Sequence, residues 1–72
     1  MQTLLFNTTT KEVKLYADEK HSSKMLEMYT HVPTVRISEH GYYEVMKKLD
    51  GEEKNIPVLR VPIANTNMVI EK

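Results

Sequence analysis

The spacing of apolar residues changes several times along this chain, and each change marks an element. Thr3 to Asn7 is a short apolar run stopped by Thr8-Thr9-Thr10, after which Lys11 to Ala17 alternates, with Val13, Leu15 and Ala17 on one face. Alternation marks a strand with one buried side, so the two segments predict a β-hairpin. The spacing then lengthens. Met25, Leu26, Met28 and Tyr29 cluster at helical spacing behind Asp18, Ser22 and Ser23, any of which can cap a helix start. Val32-Pro33 ends that helix, because proline disfavours the α conformation in the residue before it. Strand character returns at Thr34 to Ser38 through Val35 and Ile37.

Residues 42–49 fit two periods. Tyr42, Val45, Met46 and Leu49 fall at i, i+3, i+4 and i+7 of a helix, while Tyr43, Val45 and Leu49 share one side of a strand. Asp50-Gly51 is a turn signal ahead of the apolar run Ile56 to Ile63, which tilts the reading towards a hairpin with Glu52, Glu53, Lys54 and Asn55 in its loop. A second helix at 42–49 is the other reading. Pro57 and Pro62 cannot donate to a ladder, so the second arm belongs at a sheet edge. A last short strand, Asn67 to Glu71, follows the turn at Ala64-Asn65-Thr66. The expected fold is therefore α+β: a small antiparallel sheet made of the N-terminal hairpin and the C-terminal strands, with one helix, in a single domain over 1–72.

Length narrows the possibilities. A chain of 72 residues hides only about 60% of the surface its unfolded form exposes, and natural domains of this size usually add disulfides, a metal or a second subunit. With no cysteine, disulfides and the commonest zinc ligand are both lost, which leaves a homodimer as the expected route to stability. Lysine plus arginine and aspartate plus glutamate number 10 each. Such a balance gives no long-range attraction for phosphate, so nucleic acid and membrane surfaces are disfavoured as partners and protein is favoured. No apolar run approaches the ~20 residues of a spanning helix, and no secretory leader is evident, so a cytoplasmic protein is expected.

Candidate chemistry is sparse. The chain lacks a glycine-rich phosphate loop and a nucleophile elbow, so no enzyme and no cofactor are expected. His21, His31 and His40 are too dispersed to suggest a metal site. Arg36, Lys47, Lys48 and Arg60 beside Tyr42 and Tyr43 could grip phosphate and stack a base, which makes a small nucleic-acid-binding regulator the alternative reading. The five methionines point elsewhere. Met25 and Met28 are expected in the core, whereas Met46 and Met68 are candidates for the flexible thioether surface that adaptable protein binders use. The residues assigned to a protein-binding surface are Glu39, Tyr42, Tyr43, Glu44, Met46, Glu52 and Glu53.

Two resemblances sharpen this reading. The start, Gln2-Thr3-Leu4-Leu5-Phe6, resembles the short peptides that dock on bacterial DNA sliding clamps, with Gln2, Leu5 and Phe6 in the roles of rim glutamine and pocket-filling pair. It departs from them at Thr3 and Leu4, where those peptides have Leu and then Ser or Asp. A buried first strand accounts for the same residues. As a whole, the compact, cysteine-free, Lys/Glu/Asn/Thr-rich chain resembles the early host-takeover proteins of bacteriophages of Gram-positive hosts, including the staphylococcal-phage sliding clamp inhibitors. That resemblance implies a non-enzymatic inhibitor which binds a host replication protein. It would act either through the N-terminal peptide or by obstructing the ring with acids such as Glu39, Glu44, Glu52 and Glu53.

Overall fold

A computed structural model describes residues 1–18 and 24–72, and among them the regular secondary structure is strand throughout, apart from one short 3-10 turn. In chain order these are β1 (Gln2–Asn7), β2 (Glu12–Tyr16), β3 (Met25–Tyr29), β4 (Thr34–Ser38), β5 (Tyr42–Lys47), β6 (Ile56–Pro62) and β7 (Thr66–Glu71). They form a four-stranded sheet, ordered β3-β2-β1-β7, and a three-stranded sheet, ordered β4-β5-β6. The radius of gyration of 11.7 Å is close to the ~11 Å expected of a compact chain this long.

The sequence expectation of an α+β fold is thus corrected to two β-sheets. The expected helix around residues 25–29 is β3, paired antiparallel to β2 with Val13 opposite Tyr29 and Lys14 opposite Met28. So short a segment is below the ~12–15 residues an isolated helix needs, whereas a strand can complete its backbone hydrogen bonds on the open edge of β2. Of the proposed caps, Ser22 and Ser23 lie outside the described residues, as does His21; the carbonyl of Asp18 accepts a 2.7 Å hydrogen bond from the Thr3 hydroxyl. The helical reading of 42–49 gives way to the hairpin: β5 pairs antiparallel with β6, Tyr42 opposite Pro62 and Glu44 opposite Arg60. Pro57 and Pro62 lie in an edge strand, as their missing donors require.

The expectation of one antiparallel sheet also fails. After β6 the chain passes through a 3-10 turn at Ile63–Asn65 into the other sheet, where β7 runs parallel to β1 from Gln2 opposite Thr66 to Asn7 opposite Glu71. Parallel neighbours need a long crossover, and the intervening strands supply it.

Alternation then places the core between the sheets. Leu4 and Phe6 from β1, Val13 and Leu15 from β2, Val45 from β5 and Val61 from β6 meet there, with Val32 from the β3–β4 connection. A hydrogen bond from the Val32 amide to the Lys11 carbonyl, 2.8 Å long, ties that connection to the first hairpin. The hairpin turns follow local chemistry. Asn7 Oδ1 accepts from the amides of Thr9 and Thr10 at 2.9 and 3.0 Å, the pattern by which asparagine mimics a turn. In the β4–β5 turn Gly41 adopts φ 88° and its amide bonds the Ser38 carbonyl at 3.0 Å, a backbone conformation that suits glycine.

Methionine burial is the reverse of the expected order. Met25 and Met28 are 47% and 42% exposed, with Leu26 between them at 47%, while Met46 is 5% exposed and Met68 packs against the core. An edge strand cannot bury both its faces, and the β3 residue that packs against the core is Tyr29. Its hydroxyl donates to the Val58 carbonyl across a long 3.4 Å contact, and burial, followed by the nearby Glu27 carboxylate, raises its pKa, so the phenol stays a donor.

Candidate functional site

The outer face of the three-stranded sheet carries a row of charges that the hairpin turns bring into register. Arg36 on β4 lies opposite Glu44 on β5, and Glu44 lies opposite Arg60 on β6. Because Val45 belongs to the core, alternation turns Glu44 to the opposite face. Glu44 is nonetheless only 3% exposed. Its Oε1 accepts from Arg36 Nε at 2.6 Å and its Oε2 from Arg60 Nε at 2.5 Å. A carboxylate removed from water must be paired in this way, and both of its oxygens are engaged by charge-assisted bonds. The hydrogen bond from Arg36 lowers the Glu44 pKa; burial opposes the shift, while the bond from Arg60 and both guanidinium charges reinforce it. Glu44 is therefore ionised at neutral pH, and the three residues together carry a single net positive charge.

The arginines are held but not covered. Their side chains stay 55% and 60% exposed, and each meets Glu44 through its Nε, one of the five N–H donors a guanidinium carries. Beside them lies an open groove of about 410 Å³, bounded by residues 36–40 of β4 and its turn and by Glu44 and Arg60.

The residues assigned to binding from sequence are divided by this geometry. Glu39 and Tyr42 are exposed at the turn end of the β4–β5 hairpin, with Glu39 Oε1 3.6 Å from His40 Nε2. Glu52 and Glu53 are exposed in the β5–β6 loop at the other end of β5. Glu44 is the buried centre of the charged row. Tyr43 packs against the core and Met46 is buried, so neither offers a side chain to a partner. The basic face expected of Arg36, Lys47, Lys48 and Arg60 does not assemble. Lys47 alternates to the face opposite Glu44, Lys48 lies in the following loop, and Glu44 offsets part of the arginine charge. Among the described residues, no group of three or more His, Cys, Asp or Glu side chains could hold a metal.

Half of the bridge, the pairing of Arg36 with Glu44, was accessible in the sequence through the turn. Once Gly41 closes the hairpin on Ser38 and Tyr42, counting back and forward puts Arg36 opposite Glu44. The N-terminal run resolves as well: Leu5 and Phe6 are buried in the interior strand β1, and Gln2 Nε2 donates to Thr66 Oγ1 at 3.2 Å. Gln2-Thr3-Leu4-Leu5-Phe6 is a core strand and not a free docking peptide. Comparison with protein-family models, with curated proteins and with solved structures gives no significant match, so the site rests on its own geometry.

Proposed function

We propose that this protein is a non-enzymatic, protein-binding inhibitor of phage origin that acts in the bacterial cytoplasm on a host replication protein, with the DNA sliding clamp as its target. The observation that carries a protein-binding role is the outer face of the three-stranded sheet, where two preorganised arginines flank an open groove and Tyr42 stands exposed at the turn end of β5. Tyrosine and arginine are the residues that most often dominate protein interfaces. The choice of target rests on the resemblance to clamp inhibitors. With Leu5 and Phe6 buried in β1, obstruction of the ring is favoured over occupation of its peptide pocket, and Glu39, Glu52 and Glu53 supply exposed acids for the basic channel through which a clamp passes DNA. No helix among the described residues is long and apolar enough to cross a membrane.

Calorimetry with the purified clamp tests this reading. A 1:1 or higher-order complex is expected, and Glu52→Lys with Glu53→Lys should weaken it about tenfold or more, since like charges across an interface are penalised, while the melting temperature stays unchanged. No association would end the clamp assignment. DNA is expected to bind poorly at physiological salt; tight binding whose salt dependence falls in Arg60→Ala would replace this reading with the nucleic-acid one.

Homodimerisation is part of the same proposal. The small core and the exposed Met25, Leu26 and Met28 on the edge strand β3 support a second copy, because unpaired apolar edges are usually covered. Light scattering should give twice the 8.4 kDa chain mass, and Met28→Lys should shift it towards monomer. A monomer at all concentrations would remove this part of the proposal.

A further inference from the structure

The geometry points to β4 as the docking edge for an extended, acidic segment of the partner protein, added as a further strand with a carboxylate against Arg36. This inference rests on the protein-binding reading above and names the chemistry of the segment to be bound.

The charged row supplies the first argument. Across the sheet it reads Arg36, Glu44, Arg60, positive, negative, positive, on directly opposed residues. Both outer strands of this sheet are edges, so the row ends in a positive charge on each side. A carboxylate placed opposite Arg36 on an added strand would continue the alternation, and opposite charges at opposed positions are the favourable cross-strand pair. Glu44 already fixes the Arg36 guanidinium through Nε, so its remaining donors are oriented before a ligand arrives, which lowers the entropic cost of binding.

Backbone chemistry then selects between the two edges. β6 contains Pro57 and Pro62, and proline on an edge blunts it against pairing. β4, with the sequence Thr-Val-Arg-Ile-Ser, has no proline and can present its outward amides and carbonyls to an added strand. The groove lies along this strand and its turn, at residues 36–40. On the other face of β4, Ile37 is 71% exposed beside the half-buried Val35, so an added strand would find apolar neighbours there. The segment that fits therefore alternates apolar and acidic residues. Charge also separates this ligand from a phosphate backbone: a row with one net positive charge balances one carboxylate, whereas repeated phosphates would meet Glu44 and the exposed Glu39 without compensation.

The test is an amide NMR titration of the full chain with a capped peptide of alternating valine and threonine around one central aspartate. Chemical-shift changes are expected at Thr34 to Ser38, with affinity reduced about tenfold by an aspartate-to-lysine peptide and by Arg36→Ala, and less by Arg60→Ala. The N-methylated peptide, which keeps the carboxylate but cannot form a ladder, should fail to bind. Shifts centred on β3 or β6, equal binding of the lysine peptide, or unchanged binding of the N-methylated one would overturn the assignment. Inorganic phosphate and single-stranded DNA form the comparison arm, and Arg36-dependent binding of either without binding of the aspartate peptide would overturn it too. Because the titration needs no clamp, its failure is separable from failure of the clamp calorimetry.

Discussion

Phe6→Ala should abolish cooperative folding at room temperature or lower the melting temperature by more than about 12 °C. Phe6 is buried in β1 between Val13 on one side and Ile70 on the other, and it belongs to the cluster that joins the two sheets. Truncating a buried phenylalanine costs about 3–5 kcal/mol, because the lost contacts and the cavity add. A core of this size yields only about that much in total, and each kcal/mol moves the midpoint of so small a domain by about 4–8 °C. Gln2→Ala provides the contrast. It removes one partly buried hydrogen bond to Thr66, worth about 1 kcal/mol, so the fold should survive with a shift of a few degrees. Thermal melts of the two variants check both statements; the opposite ranking would mean that β1 is not an interior strand.

Acid should destabilise the protein through Glu44, and Glu44→Gln should remove that part of the pH dependence. The folded state holds the Glu44 pKa below its ordinary value of 4.5, chiefly through the hydrogen bond from Arg36. A depressed carboxylate pKa means that the unfolded chain takes up the proton first as pH falls. The contribution is therefore fully present above about pH 4.5 and is lost progressively below it, as pH falls through the folded pKa. Urea unfolding at a series of pH values should show stability falling in that window for the natural chain and a flatter curve for Glu44→Gln. The variant should also be less stable at pH 7, because its amide cannot accept charge-assisted bonds from both arginines. An unchanged acid limb would show that other carboxylates control it.

The all-β outcome turns on residues 25–29, which were read as a helix, and 42–49, where helical and strand periods overlapped. Both segments are short, and apolar residues at i and i+3 or i+4 can lie on either element, so their period alone could not decide. An available edge did: β2 offers one to β3, and β6 one to β5. The same tertiary choice exposed Met25 and Met28 and buried Met46, against their apparent roles. It also set Glu44 between two arginines from separate strands, one of them beyond an eight-residue loop across which no local pattern fixes the register.

Turn and strand chemistry were legible without any fold. Alternation at Val13 and Leu15, the turn residues at Asn7 and Gly41, and the prolines that confine Ile56 to Pro62 to an edge act through dihedral angles and donors belonging to each residue and its neighbours. What only the tertiary structure decided was which edges meet: the parallel union of β1 with β7, the division into two sheets, and the row of Arg36, Glu44 and Arg60. Those pairings depend on burying Leu4, Phe6, Val45 and Val61 against one another, a free energy that belongs to the whole core and to no single segment.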